Sequence, residues 1–208
     1  MMTLTAWRTG ARWWRPFAAL LLSLLLSGCA SVYVDNGVPE VPSAQFAKPA
    51  RAQPVQVFFE FQTKGAPNGR ASELVRGRVV NQVKDSGLFS TVVEQADPGA
   101  GLLSITINNV PLSDDAFTKG FVTGLTFGLA GTQVSDGYVC TARYTPPGGG
   151  SAVVKTARHA IHTTVGASGA PQNATKAESV GDAVFTMSRQ VVSQLLNELS
   201  RDPAFAGR

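Results

Sequence analysis

The chain has 208 residues, with 18 Lys and Arg against 14 Asp and Glu, which gives a formal net charge of +4. Three of the basic residues, Arg8, Arg12 and Arg15, lie near the amino terminus, so the rest of the chain is almost neutral. No basic stretch with interleaved aromatic residues occurs, and this composition argues against a nucleic-acid partner.

The amino terminus has the three parts of an export signal. The three arginines precede an apolar run at residues 17–26, and the small residues Ser27 and Gly28 follow it. A helix that spans a bilayer needs about 20 apolar residues, and this run is much shorter. The segment 1–28 is therefore predicted to be a removable signal peptide.

Cys29 directly follows Leu26, Ser27 and Gly28, and these four residues resemble the lipobox of bacterial lipoproteins. The resemblance implies signal cleavage between Gly28 and Cys29, then attachment of a diacylglyceryl group and an N-acyl chain to Cys29. A thiolate is a good nucleophile for the thioether, and two or more chains anchor a protein stably. The alternatives are an uncleaved signal anchor, or an ordinary signal with a chance cysteine.

Ala30 stands where an Asp would imply retention in the inner membrane, so the resemblance implies the outer membrane with the domain facing the periplasm. Apart from the covalent lipid, no cofactor is expected. Residues 29–54 are predicted to be the lipidated cysteine and a tether, because four prolines punctuate them and Pro-rich linkers stay extended. Only Val32–Val34 looks able to pack against a domain.

Residues 55–202 are predicted to form one α/β periplasmic domain. Alternating apolar residues predict strands at 55–61 and 103–108, and a short β-branched stretch predicts one at 88–93. Helical spacing of Val75, Val79 and Val83, with Leu74 beside them, predicts a helix over 72–86 that ends at Gly87.

The second half continues with two strands and a helix. Strands are predicted at 137–144 and 152–164, joined by a hairpin at Pro146–Gly150. An apolar stripe of Val184, Met187, Val191, Leu195 and Leu199 predicts a helix from about Asn173, as its cap, to Ser200. Residues 203–208 are left as a tail.

The order β-α-β-β-β-β-α predicts an α/β (α+β) fold, a mixed sheet of four to five strands with two helices packed on one face. The stretch Asp85–Phe89, followed by Ala96 and Asp97, resembles a layout shared by periplasmic lipoprotein domains. These are the amino-terminal domain of TolB, the penicillin-binding-protein activator lipoproteins and the curli secretion lipoprotein. The resemblance implies binding of envelope proteins, or assembly in the outer membrane, rather than catalysis.

An apolar, Gly-rich insertion at 119–134 is the most unusual part of the domain. As a strand, it places Phe121, Leu125, Phe127 and Leu129 on one side; as a helix, it places Gly120, Gly124 and Gly128 on one face, as in close helix pairs. It is too short to span a membrane as a helix. Contact with the membrane, with a partner or with other copies of the chain is one interpretation; the alternative is that the segment folds back over the open face of the sheet and caps the core.

The remaining candidates favour structural roles. Cys140 is expected to be a small buried core residue. His159 and His162, three positions apart in a strand, should point to opposite faces and cannot chelate one metal ion together, so a solvated or core-edge position is expected. Asp114 and Asp115 read as solvated turn residues, and Ser151 and Ser168 lack the context of a nucleophile. No catalytic residue and no metal site is predicted, and the protein is not expected to be an enzyme.

These features together favour an outer-membrane-anchored periplasmic lipoprotein that acts as a non-enzymatic binding or assembly module in envelope maintenance. Its expected partners are outer-membrane lipid and an unidentified envelope protein, and an oligomer is left open. The alternative is an accessory subunit of an outer-membrane export or secretion assembly. A periplasmic enzyme ranks third.

Overall fold

The computed structural model describes residues 30–111, 133–165 and 169–207. Its strands are β1 (Ala30–Asp35), β2 (Val55–Thr63), β3 (Ala66–Pro67), β4 (Val92–Val93), β5 (Gly101–Pro111), β6 (Gln133–Thr145), β7 (Val153–Val165) and β8 (Ala174–Lys176). Its helices are α1 (Gly69–Asp85), α2 (Val180–Ser200) and the short α3 (Pro203–Ala206), with a single 3₁₀ turn at Ser43–Gln45.

All eight of these strands belong to one mixed sheet in the order β3-β2-β5-β6-β7-β1-β8, with β4 paired to β2 beside this path. β2 runs parallel to β4 and β5, and α1 lies between β2 and these strands in the chain. The other neighbours are antiparallel. The α+β class is confirmed, and the sheet is larger than the predicted four to five strands.

The core lies between one face of the sheet and the two long helices. Alternation along β2 buries Phe59, whose register partner on β5 is Ile105, and Ile105 in turn lies opposite Ala142 of β6. Val79 of α1 and Leu195 of α2 belong to the same buried cluster. Both helices therefore pack on one face, where each fully buried aliphatic side chain contributes about 1.5–3 kcal/mol.

The helix ends follow capping chemistry, and both helices begin at other residues than predicted, α1 at Gly69 rather than 72 and α2 at Val180 rather than about 173. Asn68 Oδ1 accepts from Ala71 N at the start of α1, and Gly87 follows its end with a φ of +65°. At α2 the cap is Ser179, whose Oγ accepts from Asp182 N. The predicted cap, Asn173, instead has a left-handed φ of +57° and precedes β8.

Two other predicted details are wrong. Leu74 is 56% exposed rather than beside the buried stripe of α1. Only Val92–Val93 of the predicted strand at 88–93 pairs with the sheet, while Leu88 and Phe89 are buried in the loop before it. The hairpin between β6 and β7 is confirmed, and its turn contains Gly148 with a φ of +76°, a conformation that favours glycine.

The predicted tether at 29–54 is the largest correction. Ala30–Asp35 is a strand inside the sheet, between β7 and β8. Phe46 is 6% exposed and belongs to the core, so the segment after β1 packs on the domain as well. The prolines of this stretch therefore do not make it an extended linker.

The insertion predicted at 119–134 overlaps β6, which begins at Gln133. The rest of the insertion lies outside the described residues. None of the helices that the structure describes has the length and apolarity to cross a membrane.

Candidate functional site

The predicted site residues lie outside the described part of the chain. These are Gly28 and Cys29 at the lipobox, and the apolar and glycine positions Phe121, Leu125, Phe127, Leu129, Gly120, Gly124 and Gly128. Their roles stay predictions. The strand ends that lead to them are described, and these ends lie at one end of the sheet.

That end of the sheet is defined by β1, β7 and β6. Ala30, the first residue of β1, directly follows Cys29 and is paired with Val165, the last residue of β7. One row further in, Thr164 is paired with both Ser31 and Gln133, the first residue of β6. Because neighbouring strands lie about 4.8 Å apart, the starts of β1 and β6 are about 10 Å apart. The predicted anchor and the apolar insertion therefore join the domain side by side.

A second candidate site is a cavity of about 510 Å³ between the helices and the segment after β1. It is lined from α1 by Arg78, Val79, Asn81, Gln82 and Asp85, from α2 by Asp182, Phe185, Thr186, Ser188, Arg189 and Ser193, and from the preceding segment by Glu40, Val41, Ser43 and Phe46.

Three contacts define the walls of this interhelix cavity. The Arg78 guanidinium lies over the Phe185 ring, 3.9 Å from its centroid. Gln82 Nε2 donates to the backbone oxygen of Arg189 at 2.8 Å, and Arg189 Nε is 2.9 Å from Glu40 Oε2. Positions 78 and 82 thus meet positions 185 and 189, so the two helices run in the same direction along the cavity.

Ser188 lines this cavity and is unusual in its surroundings. It is 3% exposed, and its Oγ has no hydrogen-bond partner among the described residues. Buried polar side chains are nearly always hydrogen-bonded, so this unmet hydroxyl is an exception, and because its oxygen is itself buried it does not open into the cavity. The burial of this serine could have been predicted from the sequence, because it lies next to Met187 within the apolar stripe of α2.

The two histidines are buried, which overturns the expected solvated or core-edge position. The expectation of opposite faces is confirmed. His159 Nε2 lies 2.8 Å from Gln190 Oε1 of α2, whereas His162 Nε2 lies 3.3 Å from Asp35 Oδ2 of β1. Burial is the main cause that lowers the pKa of His159. These histidines satisfy polar partners inside the fold.

Cys140 and the acidic residues were the other candidates for chemistry. Cys140 is fully buried as expected, and burial raises the pKa of its thiol, so it is a poor nucleophile. Within the described ranges, no group of three His, Cys, Asp or Glu side chains could hold a metal ion. Asp114, Asp115 and Ser168 lie outside those ranges.

Comparison with known proteins gives distant structural neighbours only. Neither a protein-family model nor a curated protein sequence matches the chain. A PelC dodecamer structure from Paraburkholderia phytofirmans is 12% identical, covers 87% of this chain and 99% of its own, and has a TM-score of 0.36.

Two further neighbours are similarly distant. A protein from Helicobacter pylori, described as a homolog of a neuraminyllactose-binding hemagglutinin, is 12% identical, with coverages of 75% and 87% and a TM-score of 0.38. A protein described as a lipoprotein, from Caulobacter crescentus, is 10% identical, with coverages of 71% and 87% and a TM-score of 0.28. Similarity at this level carries no argument about function.

Proposed function

We propose that the protein is an outer-membrane-anchored periplasmic lipoprotein, a non-enzymatic binding or assembly module of the cell envelope. The lipobox Leu26-Ser27-Gly28-Cys29 is the sequence basis for the anchor. The single structural observation that supports the proposal is the register at the sheet end, where Ala30, Val165 and the start of β6 lie side by side.

This register gives the lipid anchor a geometric consequence. A lipid on Cys29 is attached one residue before β1, so no linker separates the domain from the bilayer. The end of the sheet then faces lipid, with the 46% exposed Val165 on it. The apolar residues Phe121, Leu125 and Phe127 belong to the segment that precedes β6 and joins it at this same end. These residues would therefore contact the lipid surface or an envelope partner beside it.

Acyl labelling in cells tests the anchor. Wild-type protein should incorporate labelled fatty acid, and Cys29→Ala should not, while Cys140→Ala serves as the matched cysteine control. Equal labelling of wild type and Cys29→Ala would show that the anchor is absent.

Photocrosslinking in intact cells tests the contact. A photoreactive residue at position 125 should capture lipid or one specific envelope protein. A photoreactive residue at position 154, which is 47% exposed on the open sheet face, serves as the control. The same capture from both positions would contradict a contact at the sheet end.

The second candidate, a subunit of an outer-membrane export assembly, rests on the four-residue spacing of Gly120, Gly124 and Gly128. This spacing suits close packing between copies of a segment. A ring in detergent extracts would favour this function. A monomer crosslinked to a single partner would favour the binding module.

A further inference from the structure

We propose that the face of the sheet away from the helices binds a second copy of the chain, through a two-fold axis that runs along β5. The surface involved, the open-face patch, consists of Phe58 and Glu60 on β2, Leu102 on β5, Arg143 on β6 and Val154 on β7. It contains none of the residues assigned to the anchor or to the apolar insertion. The inference rests on the proposed function, because the anchor fixes the direction in which each copy points.

The open-face patch brings together three exposed apolar side chains. Phe58 and Val154 are each 47% exposed, and Leu102 is 40% exposed. Each of them has a chain neighbour that is buried on the helix side, namely Phe59, Val153 and Leu103. Because side chains alternate along a strand, the three exposed ones share the other face. Their strands are consecutive members of the sheet together with β6, and exposed apolar residues grouped on one surface are typical of a protein contact.

The register places aromatic and positive groups symmetrically about β5. Ser104 of β5 is paired with Phe58 on one side and with Arg143 on the other. A rotation of 180° about an axis in front of β5 therefore places Phe58 of one copy over Arg143 of the other, and a guanidinium group over an aromatic ring is a favourable contact. Val154 is paired with Arg143 and lies about 4.8 Å further on, beside the same ring. Leu102, on β5 itself, meets its own copy.

The charges of the patch are complementary under the same rotation. Glu60 lies on β2, two residues after Phe58, and Arg143 lies on the other side of β5. Two residues of a strand span about 7 Å, so the rotation brings Glu60 of one copy about 7 Å along the sheet from Arg143 of the other, within reach of the arginine side chain. Arg143 is exposed and makes no ion pair within the described ranges. A second copy thus supplies a carboxylate for each Arg143.

The proposed anchor selects the direction of the axis. The sheet end formed by the starts of β1 and β6 and the end of β7 faces lipid in the proposed function. A two-fold axis parallel to the strands keeps that end of both copies on the same side, so both anchors reach one bilayer. An axis across the strands would point the two anchors in opposite directions and would place Phe58 over Phe58. The arrangement that suits one membrane is therefore the one in which Phe58 and Glu60 meet Arg143.

Thiol crosslinking of the full-length protein in its membrane tests this arrangement. Stacked sheets lie about 10 Å apart, which is too far for a disulfide, so a short bismaleimide is the crosslinker. Ser104→Cys and Thr106→Cys each place a thiol on the axis, and each variant should give a homodimer on its own. Ser43→Cys, at an exposed position on the helix side, is the matched serine control and should give none.

Charge exchange in the Ser104→Cys background tests the contact between the copies. Glu60→Arg alone or Arg143→Glu alone should lower the yield of homodimer about fivefold, because each replaces an ion pair of exposed groups by repulsion. The double variant Glu60→Arg/Arg143→Glu recreates the pair with its signs exchanged and should restore the yield.

The proposal is overturned if neither axis position gives a homodimer, or if Ser43→Cys crosslinks equally well. A homodimer from only one of Ser104→Cys and Thr106→Cys would indicate an axis across the strands and overturn it too. So would capture of a different envelope protein at these positions, or a double charge variant that stays as weak as the single ones.

Acyl labelling of Cys29 and photocrosslinking from position 125 do not depend on these results. Failure of the dimer is therefore distinguishable from failure of the proposed function. Position 154, the control for photocrosslinking, should capture a second copy of the chain and not the molecule that position 125 captures.

Discussion

His162 Nε2 lies 3.3 Å from Asp35 Oδ2, and both side chains are fully buried. Burial acts to raise the pKa of Asp35, but hydrogen bonds from His162 and from Gly37 N outweigh it and hold the pKa below its ordinary value. This carboxylate therefore contributes stability that is present above about pH 4 and is lost as the pH falls further. The contact ties β1 to β7, its neighbour in the sheet.

The first expected outcome concerns this contact. Asp35→Ala removes the carboxylate and leaves His162 without it, so the free energy of unfolding should fall by about 1–3 kcal/mol. Urea denaturation at neutral pH measures the loss. Glu94→Ala, in an exposed loop, is the control and should change stability by less than about 0.5 kcal/mol. Equal stability of the two variants would contradict the role of Asp35.

The second concerns pH. Because the pKa of His159 is lower in the folded state, protonation favours the unfolded chain, and stability should fall as the pH drops below about 6.5. His159→Gln should flatten the dependence of the unfolding free energy on pH between about pH 7.5 and pH 5.5. Thr156→Gln, at an exposed position of the same strand, should keep the wild-type dependence. An unchanged slope in His159→Gln would sink this interpretation.

The third tests whether the segment after β1 belongs to the domain. Phe46 is 6% exposed, so Phe46→Ala should lower the unfolding free energy by about 3–5 kcal/mol. Leu74→Ala is the control, because Leu74 is 56% exposed and its truncation should matter little. Thermal and urea unfolding measure both. A Phe46→Ala variant as stable as wild type would indicate that the segment after β1 is an extended tether and does not pack on the domain.

The fourth compares two serines of α2. Ser193→Ala removes the acceptor for Val41 N and should cost about 1 kcal/mol. Ser188→Ala removes a hydroxyl without a partner in the described structure, so it should cost nothing or raise stability slightly. A clear loss in Ser188→Ala would indicate a structural hydrogen bond at this position.

The elements that the sequence predicted well are those with a local pattern. The alternation of Val55, Val57, Phe59 and Phe61 predicts β2 wherever it lies in the fold, and the spacing of Val75, Val79 and Val83 predicts α1 in the same way. The turn residues Pro146–Gly150 alone were enough to predict the hairpin. Such patterns need no knowledge of distant residues.

The features that were missed depend on distant partners. β1 is short, and prolines follow it, so only its pairing with β7 and β8 makes it a strand. Asn173 has the chemistry of a cap, but the pairing of Ala174–Lys176 with β1 outweighs it. The cavity exists only because two helices from separate parts of the chain lie side by side. No local sequence pattern predicts that these two helices pack together.

The place of β1 in the sheet, one strand from the edge, also affects when the protein can fold. Asp35 and His162 are 127 positions apart in the chain, and β1 lies between β7 and β8. β1 cannot pair with its neighbours until β7 and β8 are available, and pairings between such distant residues form slowly. If the chain is exported from its amino terminus, as proposed above, its first strand would stay unpaired until β7, which ends at Val165, had crossed the membrane.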